Sequence, residues 1–121
     1  MSAWILSLSV VLALVCQAAS AAESAAPDGG VAVEKTSQGD LTIQPINHSA
    51  IRFAFKGKQY YVDPAGKADW EQMPKADVIL ITHEHGDHLD PKVIDRIKKE
   101  GTLIYAHASS VKKAGFGQIH L

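Results

Sequence analysis

Val78-Ile79-Leu80-Ile81-Thr82-His83-Glu84-His85-Gly86-Asp87-His88-Leu89-Asp90 is the stretch on which the reading of this chain turns. Val78 to Ile81 is apolar and largely β-branched, the composition of a buried strand. It ends in a burst of ligand-type side chains. Directly after them the sequence predicts a helix over residues 91–100, with Asp90 at the N-cap, Pro91 at N1 and Gly101 as the stop. Val93, Ile94 and Ile97 form its apolar stripe, and Lys92, Arg96, Lys98 and Lys99 face water.

The burst has the chemistry of a metal site. His83 and His85 are two apart, so on extended backbone they point to one side and can grip one cation, with Glu84 turned away. Gly86 is expected to allow a turn that a bulkier residue would resist. On that turning loop Asp87 and His88 can reach a second cation beside the first. A surface accident or a pH-sensitive patch explains a single histidine well. It explains poorly His83, His85, Asp87 and His88 together, set between a buried strand and a capped helix. The nitrogen and carboxylate donors suit Zn²⁺, with Mn²⁺ or Fe as alternatives. Glu84 reads as a solvent-facing or supporting residue, and Asp90 as a helix cap.

Upstream, residues 41–46 and 51–55 alternate as strands, Lys56-Gly57-Lys58 marks a hairpin turn, and residues 59–62 return, closed by Asp63-Pro64-Ala65-Gly66. Residues 67–75 read as a loop or short helical turn around Trp70 and Met73. Downstream, residues 102–106 form another strand, 110–114 a short helix ending at Gly115, and 116–121 the start of a further strand. Hairpins that give way to strand-loop-helix-strand units define a mixed α/β class.

The 121 residues suit one small domain, with 46% hydrophobic and 21% charged residues and a net charge of −1. No basic patch points to nucleic acid or to an anionic membrane surface. Ala3 to Val15 is almost wholly apolar, and Ala19-Ser20-Ala21 fits a small-x-small cleavage site. Residues 1–21 therefore read as a signal peptide for export to a periplasmic or secreted location, with no stable membrane insertion after cleavage. The competing reading is an uncleaved membrane anchor through residues 3–22, a run close to the ~20 residues that span a bilayer. Residues 22–40 read as a leader or linker, or as an irregular strand around residues 31–33. Cys16 is the only cysteine, so a mature chain would hold metal through His and carboxylates alone.

His83-Glu84-His85-Gly86-Asp87-His88 resembles the HxHxDH signature of the metallo-β-lactamase superfamily. Leu89-Asp90 after the last histidine is similar to the lactonase-like and phosphodiesterase-like branch. So is Asn47-His48-Ser49-Ala50, which resembles a Gly-His-Ala/Ser segment with Asn47 in place of Gly. The resemblance implies an αββα sandwich, of which residues 41–121 would be the N-terminal half of a longer hydrolase.

It further implies that His83 and His85 bind a first divalent ion and Asp87 and His88 a second, with Asp87 also orienting the attacking hydroxide. Asp63 would fix the orientation of a ligand, or serve simply as an Asp-Pro turn. His48 would line the pocket, hydrogen-bond to a ligand, or be a structural turn histidine. His107 and His120 read as ordinary strand-end or surface residues. The implied activity is an exported, di-metal hydrolase acting on an ester-type bond, a lactone or phosphodiester, of a small molecule. The alternative is a non-catalytic divalent-metal-binding protein.

Overall fold

A computed structural model of the protein describes residues 30–114. The expected signal segment, the first part of the leader, Gly115, the strand over residues 116–121 and His120 lie outside the described residues. Within them runs one six-stranded sheet whose spatial order is the order of the chain. Its strands are β1 (Ala32–Thr36), β2 (Gly39–Asn47), β3 (Ala50–Phe55), β4 (Lys58–Val62), β5 (Val78–Ile81) and β6 (Leu103–Ala106). β1 to β4 are joined antiparallel, and β5 and β6 add in parallel.

Turn chemistry explains the meander. Lys56 and Gly57 both have positive φ, 49° and 74°, and Phe55 pairs with Lys58, as a two-residue hairpin loop requires. The strand glimpsed around residues 31–33 is a full sheet member, Ala32–Thr36 paired with Gly39–Ile43. Its exposed, charged residues hid it, because a solvated edge strand shows little apolar alternation.

α1 (Pro91–Ile97) connects β5 to β6, and α2 (Ala108–Ala114) follows β6. Asp90 caps α1 as expected, its carboxylate accepting from the backbone N–H of Lys92 (3.0 Å) and Val93 (3.4 Å). The helix is shorter than the sequence predicts. Lys98 turns extended, with φ −69° and ψ 158°. Gly101 instead takes φ 78° in a following turn that the Thr102 N–H closes onto the Lys99 carbonyl (3.2 Å). That turn is pinned to the start of β5, because the Thr102 hydroxyl donates to the Ala76 carbonyl (2.7 Å).

The core lies on one face of the sheet. Tyr61, Ile79, Ile81 and Ile104 from the strands meet Val93, Ile94 and Ile97 of α1, and Trp70 and Leu89 close its ends. Each fully buried Ile contributes about 1.5–3 kcal/mol relative to exposure. The segment between β4 and β5 forms no regular helix. It is fastened by the Trp70 indole N–H to the Gly66 carbonyl (2.9 Å) and by the Tyr61 hydroxyl to the Pro74 carbonyl (2.7 Å). The opposite sheet face carries Ile43, Phe53, Tyr60, Val78, Leu80 and Leu103 in register across five strands. Leu80 is 38% and Leu103 41% exposed. β5 is thus buried on one side only, although its composition reads as buried throughout.

Candidate metal centre

The loop after β5 doubles back at once. The His85 carbonyl accepts the backbone N–H of both His88 and Leu89, each at 2.9 Å. Leu89, 4% exposed, anchors the returning chain in the core. This turn gathers the histidines. The His83 ring centroid lies 4.7 Å from that of His85 and 3.8 Å from that of His88. One ligand atom from each of His83, His85 and Asp87 falls within 4.8 Å of the others. Gly86 does not have the role expected of it. Its φ is outside the left-handed region, and a Cβ there would meet nothing within 4 Å, so the turn itself does not demand glycine.

Both pairs that the resemblance implies lie close together, and Asp87 falls within reach of each. Asp87 joins His83 and His85 in one three-ligand set, and His88 stands beside it with Nε2 3.6 Å from Asp87 Oδ2. The other nitrogen of His88, Nδ1, lies 2.8 Å from Asp63 Oδ2. A carboxylate only accepts, so Nδ1 carries the proton and Nε2 keeps its lone pair for a cation. Asp63 is 3% exposed and has φ 46°, just before Pro64. It is the turn residue before Pro64 and also the carboxylate in contact with His88, two places that the sequence posed as alternatives.

Thr82 links the two histidines. Its backbone N–H donates to Asp63 Oδ1 and its hydroxyl to Asp63 Oδ2, both at 2.7 Å. With its one proton committed there, the hydroxyl oxygen accepts from Nδ1–H of His83 at 3.1 Å. His83 Nε2 is then free as a donor to metal. One buried aspartate therefore sets the tautomer of His88 directly and of His83 through Thr82.

The β2–β3 turn approaches from the other side. His48 Nε2 is 3.0 Å from Asp87 Oδ2, and the Ser49 hydroxyl donates to the Asp87 carbonyl at 2.5 Å. The His48 hydrogen bond, followed by one to backbone, holds the Asp87 carboxyl below its ordinary pKa. Glu84 faces α2. Its carboxylate accepts from the Ser109 hydroxyl (2.6 Å), which likewise lowers its pKa, and Lys113 Nζ donates to its backbone carbonyl (2.6 Å). His107 sits at the head of α2, its carbonyl accepting the backbone N–H of Ser110 (2.9 Å) and Val111 (3.2 Å).

Sequence reasoning passed over Thr82, Ser49, Ser109 and Lys113. Thr82 and Ser49 had a signal, each being a hydroxyl next to a singled-out histidine. Ser109 and Lys113 had none, lying 25 and 29 residues from Glu84.

The donor set fits a divalent cation. The ligand atoms converge from one short loop, they are imidazole nitrogens and a carboxylate oxygen, and hydrogen bonds hold the far nitrogens of His83 and the neighbouring His88. A mixed sheet carrying such a loop at the end of a strand defines a metal-binding α/β protein. The model of the beta-lactamase superfamily domain matches residues 42–119, more than half of the sequence, and the chain belongs to that superfamily.

Similar proteins agree. A UPF0173 metal-dependent hydrolase of Geobacillus sp. (strain WCH70) is 39% identical over 64 residues, 49% of this chain and 28% of that protein. One of Chelativorans sp. (strain BNC1) is 35% identical over 75 residues, 56% of this chain and 32% of that protein. The crystal structure of a candidate metal-dependent hydrolase from Parabacteroides distasonis ATCC 8503 shares 44% identity with a TM-score of 0.69, over 74% of this chain and 42% of that one. The chain thus spans about a third of the length of the curated relatives it matches, and its six-stranded sheet matches part of a metallo-β-lactamase-fold hydrolase.

Proposed function

We propose that this chain carries one half of the metal centre of an exported hydrolase that cleaves an ester-type bond, a lactone or phosphodiester, in a small molecule. The convergence of His83, His85 and Asp87 within 4.8 Å carries the reading, and the names of the relatives support it. His83, His85 and Asp87 would hold one divalent ion and His88 would start the site of a second, with Zn²⁺ favoured by the donors. Bound, such ions supply Lewis acidity that makes water nucleophilic and stabilises developing oxyanion charge. Asp87, anionic at neutral pH and tied down at Oδ2, orients the attacking water. Asp63 and Thr82 keep the imidazoles in the ligating tautomer. The open apolar face of the sheet supports an αββα sandwich, since a second sheet packed there would cover Phe53, Tyr60, Leu80 and Leu103. Export rests on the composition of residues 1–21.

Zinc titration of the purified chain, with hydrolysis assays on generic phosphodiester and lactone substrates, tests the proposal. Binding that is lost in His83→Ala and Asp87→Ala is the expected result, with turnover expected only where the other half of the centre is supplied. Metal content unchanged in both variants overturns it. Tight binding without turnover even when the other half of the centre is supplied would support a second reading, a non-catalytic metal-binding protein. That reading is favoured by the convergence of three ligand-type side chains on one loop of this chain.

A further inference from the structure

The tip of the β2–β3 hairpin pays a conformational penalty for the residue it carries. His48 has φ 37°, a left-handed backbone that side chains rarely adopt. Glycine or asparagine would sit there more easily. Nor does the side chain gain burial in return, since it is 68% exposed. What it gains is Asp87 Oδ2, at 3.0 Å.

The hairpin tip is held in place for that contact. Ser49 Oγ donates to the Asp87 carbonyl at 2.5 Å. On the other side, Asn47 Nδ2 donates to the Lys67 carbonyl at 2.7 Å. Gly66 packs so closely on that amide that a Cβ would come within 3.4 Å of it. Asp87 needs such support. Its side chain is 51% exposed on a turning loop, and His88 Nε2, at 3.6 Å, is beyond hydrogen-bond reach. Left to itself, an exposed aspartate would spread over several rotamers, and selecting one of them would weaken binding to any ligand.

We propose that His48 is a positioning residue for the metal centre: its Nε2–H fixes Oδ2 of Asp87 and so holds the carboxylate in the rotamer that joins His83 and His85. The inference rests on the metal-centre reading above and adds to it the backbone strain at position 48. An exposed imidazole–carboxylate pair contributes little to folding, so its removal acts on ion affinity rather than on stability.

The test compares wild type, His48→Gly and His48→Gln in the full 121-residue chain. It measures Zn²⁺ affinity by competition with a chelator and the thermal midpoint of the metal-free protein. His48→Gly relaxes the left-handed backbone and removes the donor. The expected result is 10–100-fold weaker Zn²⁺ binding with an unchanged or higher midpoint. His48→Gln, whose amide N–H can still reach Asp87, recovers most of the affinity. Zn²⁺ bound by His48→Gly as tightly as by wild type overturns the inference and leaves the metal centre standing. So does a fall in its midpoint large enough to account for the weaker binding, which makes His48 a folding residue. Wild type that binds no Zn²⁺ overturns the metal-centre reading itself.

Discussion

The antiparallel and parallel halves of the sheet are covered differently on the face that meets α1. β5 and β6 bury Ile79, Ile81 and Ile104 there, whereas β1–β3 place only Ala50 in the fully buried set among the described residues. On that face β2 and β3 carry Gln44 and Arg52. The Arg52 guanidinium donates to Gln44 Oε1 (2.8 Å) and, across to β4, to Gln59 Oε1 (2.7 Å). β4 to β6 rest there on apolar packing, and β2 and β3 add polar bridges between strands. The metal loop grows from the packed half, and the strained turn that steadies it comes from the bridged half. A ligand set needs a stiff base, while its support can be a loop tip that is itself well tied.

The contrast should appear first in stability. Ile94→Ala empties a position that is 0% exposed beneath the parallel half and should cost 2–5 kcal/mol by urea denaturation, by the usual ~2–5 kcal/mol range for such changes. Phe53→Ala, on the open face, should cost clearly less, and an equal loss would erase the distinction between covered and uncovered surface.

Next comes the link between the halves at Asp63. Asp63→Asn keeps a residue tolerant of φ 46° but sets an amide N–H₂ against donors that now meet a carboxylate. Zn²⁺ affinity should fall about 10–100-fold, and an unchanged value would mean that the tautomers of His83 and His88 are set elsewhere.

Tyr61→Phe should cost about 1 kcal/mol through its lost bond to Pro74. It also carries a pH signature. Burial pushes the Tyr61 hydroxyl up to about 12. The unfolded chain therefore ionises first, and wild type loses this contribution as pH rises from roughly 10. The phenylalanine variant should lack that alkaline decline in thermal midpoint.

The smallest effect belongs to Asp77, where β4 and β6 both meet the start of β5. Its carboxylate accepts the Gln59 N–H at 2.8 Å and pairs with Lys99 at 2.9 Å and Lys58 at 3.5 Å. The Lys99 contact, then Gln59, lowers its pKa to about 2. The contribution is present above the unfolded value, roughly 3.9, and is lost as pH falls toward 2. Wild type and Asp77→Asn should therefore differ slightly in midpoint at neutral pH and converge in acid.

Much of this was legible in the residues. Alternation gave the meander, the cap at Asp90 gave the start of α1, and the density of donors gave the loop. Where the reading fell short, the cause was non-local. β1 is polar because it is solvated, α1 stops early because Thr102 pins the following turn to Ala76, and Gly86 turns without needing its freedom. Thr82 passed as a strand end because its partner, Asp63, is 19 residues away.

The order of side chains alone determined which groups could ligate, because His83, His85, Asp87 and His88 are neighbours in the chain and a single turn suffices to gather them. Only the folded sheet decided which donors stand together, which nitrogen of each imidazole is free and what steadies Asp87. Those depend on Asp63 and His48, which reach the loop across strand pairings that link residues 25 and 39 positions apart. Composition and local spacing have no means of expressing such distances.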